Sequence, residues 1–249
     1  MSMPNDVPGA KLRLGDVVID VRFAVVAFLG TFLPILFVYR GTVARLFPFL
    51  PQSWHGMLGQ GILEMAHMQF ILFFAVPILV VIFAFRDHPE DYGLAIGRWR
   101  EGLIWTFSLC PAIAVVLWFT VPTGNIDQYY RAIYYGANAG GGSEWLQHGR
   151  MIYTSVLQLW GWEYLLRGFL LFGTARIIGP GPAIFLQMIP FAFGHVSKPE
   201  LETMSTLFTG LGMGFIAWRT RTFLYVFLIH CFILVFANLM ASGVFSPSP

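Results

Sequence analysis

The sequence predicts an all-α, polytopic transmembrane bundle of about seven spans, on three observations. Hydrophobic residues make up 57% of the 249 residues and charged residues only 11%, with a mean hydropathy of +0.68. Soluble domains carry about 25% charged residues. The apolar residues are gathered into runs close to the roughly 20 that a helical span requires. Polar and glycine-rich stretches separate these runs at short intervals.

Taken in order, residues 1–22 carry Asp6, Lys11, Arg13, Asp16 and Asp20 and lack a signal-peptide cleavage pattern. They read as a retained polar or interfacial segment ahead of a single transmembrane domain over 23–249. Candidate spans fall at roughly 23–39, 63–85, 103–122, 151–175, 178–197, 201–218 and 222–244. The first is short, and tilting would extend it back over Val17 to Val21. Residues 41–60, with Phe47, Phe49, Leu50 and Trp54, read as an interfacial stretch. Residues 123–150 form the longest loop. Its Tyr129, Tyr130, Tyr134 and Tyr135 suit a membrane interface, and Gly140-Gly141-Gly142 implies mobility at the mouth of whatever lies below.

With the N-terminus in the cytoplasm, the inside carries Lys11, Arg13, Arg22, Arg86, Arg98, Arg100, Arg176, Arg219 and Arg221. The outside carries Arg40, Arg45, Arg131, Arg150 and Lys198. The bias favours N-terminus in and C-terminus out. The net charge of +2 and the absence of a basic run give no sign of a nucleic-acid partner. Cys110 and Cys231 lie in apolar segments without metal or redox spacing and read as small buried hydrophobes. Neither an organelle-targeting segment nor a retention tail is evident, so the expected location is a bacterial cytoplasmic membrane.

The chemistry lies in the last four spans. Glu163 and Arg167 sit four residues apart inside an apolar run and share one helix face. A charge at bilayer depth costs on the order of 2.5–3.5 kcal/mol on insertion scales, so an ionisable residue there has a use by default. His195 closes the fifth span after Phe191-Ala192-Phe193-Gly194, His230 lies in the seventh, and Asn238 follows two turns later. Together they offer a base (Glu163), an orienting cation (Arg167), a proton-handling imidazole (His195) and a donor pair (His230, Asn238). That set can deprotonate water and stabilise an oxyanion without a nucleophilic serine or cysteine. The bland alternatives are a self-neutralising ion pair for Glu163 and Arg167, and satisfied interhelical hydrogen bonds for each histidine.

Other patterns carry less. Glu64 and His67 have the Glu-x-x-His spacing of diiron bundles, which need two such motifs and two further carboxylates; they read as a polar helix end. The zinc signature His-Glu-x-x-His and the Gly-x-Ser-x-Gly elbow are absent from the sequence. Gly210, Gly212 and Gly214 read as a surface for close helix packing.

Glu163-x-x-x-Arg167-Gly168, Phe191-x-x-x-His195, Gly210-x-x-x-Gly214 leading to Arg219-Thr220-Arg221-Thr222, and His230 together resemble the CPBP family. This is the CAAX-protease and bacteriocin-processing (ABI) group of glutamic intramembrane endopeptidases. Tyr92-Gly93-Leu94 is similar to a recurrent family element, and the resemblance is concentrated over 151–240. Many members carry two adjacent glutamates before the x-x-x-Arg, the first taken as the base; here that first position is Trp162. Glu163 does not simply replace it, because neighbouring helix residues point about 100° apart. The usual final motif is His-x-x-x-Asn, whereas position 234 is Leu, and Asn238 lies about 12 Å along the axis from His230. A branch with one glutamate, the longer spacing, and Lys-Pro-x-x-Glu after the second motif resembles this chain better. That stretch here reads Lys198-Pro199-Glu200-Leu201-Glu202, which makes Lys198 and Glu202 either site-mouth residues or a surface ion pair.

The resemblance implies hydrolysis of a peptide bond in membrane-anchored peptides or protein tails, with the bilayer as surroundings and no cofactor. Glu163, aided by His195, activates water; Arg167 orients Glu163; His230, with Asn238, polarises the scissile carbonyl. Two alternatives accompany it. Glu163, His195 and His230 with a water are a possible zinc set, and loss of the first glutamate allows a non-catalytic scaffold or immunity-type protein.

Overall fold

Fifteen consecutive residues, 161–175, are buried, and the rest of the molecule is arranged around them. They belong to one long helix in a computed structural model that describes residues 10–123, 125–136 and 142–245. A hairpin of β1 (Lys11–Leu14) and β2 (Val17–Asp20) leads into α1 (Val21–Arg40), whose N-cap Asp20 accepts from Phe23 N at 3.1 Å. Then come α2 (Ile62–Phe85), α3 (Trp99–Thr120), α4 (Ile126–Tyr134), α5 (144–178), α6 (Pro180–Phe193), α7 (Glu200–Thr220) and α8 (Leu224–Ser242). Short helical turns at Val43–Leu46 and Gln52–Trp54 occupy the stretch read as interfacial.

Four helices, α1, α2, α3 and α8, are long and apolar enough to cross a membrane by length and composition. Helix α5 carries Glu163 and Arg167 in its middle, and α7 opens on Glu200 and Glu202. The 14 residues of α6 extend about 21 Å, short of a roughly 30 Å hydrocarbon core. The architecture is that of an all-α polytopic membrane protein. Backbone donors and acceptors inside a bilayer have no water to turn to, so a crossing segment is a helix or a strand of a closed barrel, and the long apolar segments here are helices.

Apart from those around Glu163 and Gln187, polar interactions between elements gather at two ends. At one, Arg22 grips both carboxylate oxygens of Asp87 at 2.9 and 2.8 Å, Tyr92 donates to Asp87 Oδ2 at 2.9 Å, and Arg176 donates to the Asp91 carbonyl at 2.7 Å. Arg219 meets Glu101 there at 2.8 Å. At the other, Val43 N donates to the buried Glu64 at 2.8 Å, His67 meets the Tyr153 hydroxyl at 2.9 Å, and Tyr130 donates to Glu202 at 2.7 Å. Glu64 and His67 thus close local structure, as a polar helix end does.

Two expectations need correction. The first span does not reach back over Val17, because Val17–Asp20 pair with Lys11–Leu14 in the hairpin. Residues 123–150 are not one loop: α4 forms within them and α5 begins at Glu144. Ile126, Tyr130 and Tyr134 recur every four residues and are all buried, while Asp127, Gln128 and Arg131 break the hydropathy that would have marked a helix. Gly140 and Gly141 lie outside the described residues.

Close approach to α5 depends on small residues. Gly161 packs on the α2 backbone at Gln69 and Phe70, and Gly173 against Val26 and Tyr92. Gly210 and Gly214 admit Phe191 and Gln187 of α6, whereas a side chain at Gly212 would meet open space. The small-residue surface on α7 is therefore the four-residue pair alone. Lipid tails are as apolar as leucine, so such contact, rather than water exclusion, holds helices together in a membrane.

Candidate active site

Glu163 is the hub. Its Oε1 accepts from Arg167 Nη1 at 3.1 Å and from His230 Nδ1 at 2.6 Å, joining two turns of α5 to α8. Its Oε2 is buried and has no partner in the protein. From residue 164 to 170 the helix widens into a π-helical turn, a feature frequent at functional sites. Arg167 still reaches back to Glu163 across it. The guanidinium also lies 4.0 Å over the Phe191 ring and donates to Met213 Sδ, so contacts from α6 and α7 hold it in place.

His195 stands in the turn after α6. Its Nδ1 is 2.8 Å from the Phe191 carbonyl, an acceptor only, so Nδ1 carries the proton and Nε2 the lone pair. The His195 carbonyl accepts from Lys198 N at 2.9 Å and from Thr203 Oγ1 at 2.5 Å, which fixes the turn. The Phe191 ring sits 4.7 Å from the His195 ring and 5.9 Å from that of His230. It separates the two imidazoles by an apolar plate.

The structure therefore brings Glu163, Arg167 and His230 into direct contact and places His195 beside them across Phe191. It does not bring Asn238 to the pair. Asn238 Nδ2 donates to the Leu234 carbonyl at 2.8 Å, one turn back on α8, and Oδ1 is buried without a partner. Glu163, Arg167 and Asn238 are 0% exposed, whereas His195 and His230 keep 5% and 8%. What accessibility the group has lies at the imidazoles.

Trp162, at the position of the family's first glutamate, points to the His195 side. Its ring packs 5.4 Å from Phe73, 6.4 Å from Phe191 and 6.4 Å from His195. Gly194 is required beneath it, since a Cβ there would collide with the indole rim at 2.5 and 2.7 Å. An aromatic wall thus occupies the ground beside His195.

Lys198 and Glu202 pair at 2.7 Å, and Tyr130 on α4 donates to the same carboxylate oxygen. Burial and the Glu202 charge hold the Tyr130 phenol well above its ordinary range, so it remains a donor. This clasp ties α4 to the start of α7, just past the His195 turn. The sequence reading assigns Tyr130 to a membrane interface and misses its bond to Glu202, although the four-residue spacing with Ile126 and Tyr134 was the available signal for a helix. Tyr92-Gly93-Leu94 serves α8 instead: the Gly93 carbonyl accepts from Thr222 Oγ1 at 2.9 Å, immediately before the helix that carries His230. Gly93 has φ +77, and a side chain would strike Phe172.

Among the described residues, no three His, Cys, Asp or Glu side chains are gathered so as to hold a metal ion. Glu163 and His230 meet, but His195 turns its Nδ1 to the backbone.

Comparison with known proteins bears out the resemblance. Residues 144–236 match the family model described as Rce1-like, type II CAAX prenyl endopeptidase Rce1-like. The match runs from the first turn of α5 into α8 and includes Glu163, Arg167, His195 and His230. No curated protein and no solved structure matches the chain.

Proposed function

Residues 144–236 match the Rce1-like family model, and from that similarity we propose that the protein is an intramembrane endopeptidase cutting membrane-anchored peptides or protein tails. The observation that carries this reading is a buried carboxylate with one oxygen tied to an arginine and a histidine and the other without a protein partner. Oε2 of Glu163 is the atom on which a water would be held and deprotonated. Arg167 fixes the carboxylate plane.

His195 presents an Nε2 lone pair and aids in orienting or deprotonating that water. His230 donates from Nδ1 to Glu163, so a bond to the scissile carbonyl uses Nε2 and requires the imidazolium. Removing a donor to the oxyanion typically costs about 10²–10³ in kcat. Asn238, expected from the resemblance to assist His230, is fully buried with its amide given to Leu234 one turn back, and it takes no part in this scheme. No cofactor enters this scheme. The membrane is taken as a bacterial cytoplasmic membrane with the N-terminus inside.

One observation favours a second reading. Trp162 fills the first-glutamate position with packed aromatic surface, as a scaffold or immunity-type protein without activity would allow. Glu163→Gln separates the two, since it keeps shape and hydrogen bonding while removing the base. Peptide termini of the membrane proteome are compared between cells with the variant and with the unmutated protein. Loss of a set of cleaved tails at unchanged protein level is expected. Unaltered termini would make Glu163 a structural partner of Arg167 and the scaffold reading correct.

A further inference from the structure

At the end of the bundle where α3 and α8 begin and α7 finishes, positive charge outruns its partners. Among the described residues that end carries the nine cations Lys11, Arg13, Arg22, Arg86, Arg98, Arg100, Arg176, Arg219 and Arg221. Six carboxylates accompany them: Asp16, Asp20, Asp87, Glu90, Asp91 and Glu101. The opposite end carries five of each sign, Arg40, Arg45, Arg131, Arg150 and Lys198 against Glu64, Asp127, Glu144, Glu200 and Glu202.

The excess is concentrated at one corner. Arg98 N donates to the Thr220 carbonyl at 2.7 Å, which brings the start of α3 against the turn after α7. Glu101 is shared there: Arg219 takes it at 2.9 and 2.8 Å, leaving Arg98 a loose 3.6 Å contact. Arg221 stacks 4.2 Å over Trp218 and Arg100 lies 5.2 Å over Trp99, each a contact with an aromatic face and not with an anion. Arg98 stands close enough that, after partial burial, its charge is the next cause disfavouring the charged form of Arg221.

The backbone adds a second argument. Arg221 ends α7 at φ +61, the left-handed position where glycine or asparagine is the unstrained choice. A cation is held there against local preference, a pattern that accompanies function. Below the corner, the outer face of α3 is apolar and open, with Ile104 and Phe107 among its most exposed residues. A molecule with an anionic head and apolar tails matches both parts.

We propose that Arg98, Arg100 and Arg221, framed by Trp99 and Trp218, form a binding site for the phosphate of an anionic phospholipid, whose acyl chains lie along α3. The occupant is a lipid of the same bilayer, because the charged corner and the apolar helix face are continuous. Tryptophans at headgroup depth anchor such a site, and basic pockets between helices recruit acidic lipids. This site lies at the opposite end from the Lys198–Glu202 clasp and does not depend on protease activity.

The test is native mass spectrometry of the full-length protein in detergent, titrated separately with dioleoyl phosphatidylglycerol and dioleoyl phosphatidylcholine. We expect the anionic lipid to be retained at least fivefold better. The pair Arg98→Gln/Arg221→Asn should reduce that retention to the level of the zwitterionic lipid, while Arg40→Gln/Arg45→Gln at the other end should leave it intact. Arg221→Asn tolerates the left-handed backbone, so this variant alone, with a partial loss, serves if the pair fails to fold. Equal retention of both lipids by the unmutated protein, or equal losses from the two arginine pairs, would overturn the proposal. Full displacement of the anionic lipid by millimolar inorganic phosphate would overturn the lipid as occupant and mark a site for a soluble phosphate.

Discussion

Glu163 and Arg167 are fully buried and neutralise one another, and the value of that pair differs sharply from the cost of breaking it. Removing one member of a buried pair leaves the other charge uncompensated, at about 3–5 kcal/mol, while removing both is often close to neutral. Arg167→Leu is therefore expected to lower the thermal unfolding midpoint of the detergent-solubilised protein strongly. Glu163→Leu/Arg167→Leu should recover most of that loss and remain inactive. A double variant as unstable as the single one would show that Arg167 stabilises mainly through Phe191 and Met213. The four-residue spacing on one helix made this pair legible in the sequence. The bond from His230 to Glu163 was not, since 67 residues separate the partners and only the packing of α8 on α5 joins them. Its residue types were readable as polar groups in apolar runs, but their pairing was not.

At the level of elements, the site rests on how tightly three segments meet around Trp162. The indole fills the space beside His195, and Gly194 supplies the room for it. Gly194→Ala puts a methyl group into that contact, an overpacking that costs about 1–3 kcal/mol, and displaces either the indole or the His195 turn. Misplacing a catalytic group by about 1 Å can cost about 10²-fold in rate. Cleavage of a tail identified by the terminal comparison is thus expected to fall at least tenfold, while the helical circular dichroism signal persists. Unchanged cleavage would place the His195 turn outside the reaction. Helix α4 depends on a different kind of contact. Tyr130→Phe removes the hydroxyl that donates to Glu202, and charge-assisted bonds of this sort contribute about 1.5–3 kcal/mol. Limited proteolysis within 123–150 should become faster in that variant. The sequence hid α4 because Asp127, Gln128 and Arg131 alternate with its buried face; the average hydropathy of such a helix resembles that of a loop, and only its spacing betrays it.

For the whole molecule, orientation follows from charge. Contacts such as Arg22 with Asp87 and Arg98 with Thr220 put the chain segments near residues 22, 87, 98, 176 and 220 at one end. Tyr130 with Glu202 and His148 with Ser242 put the others at the second end. The nine and five cations counted along the sequence therefore segregate in three dimensions as they did in the count. Cationic flanks are retained in the cytoplasm during insertion, so the nine-cation end is expected to face inward and the His195 turn to lie towards the outer leaflet. With Cys110 and Cys231 replaced by alanine, Pro199→Cys should react with a membrane-impermeant maleimide added to intact cells. His88→Cys should react only after the cells are opened. The reverse pattern would turn the bundle over, place the His195 turn towards the cytoplasm, and restrict substrates to tails presented from that side.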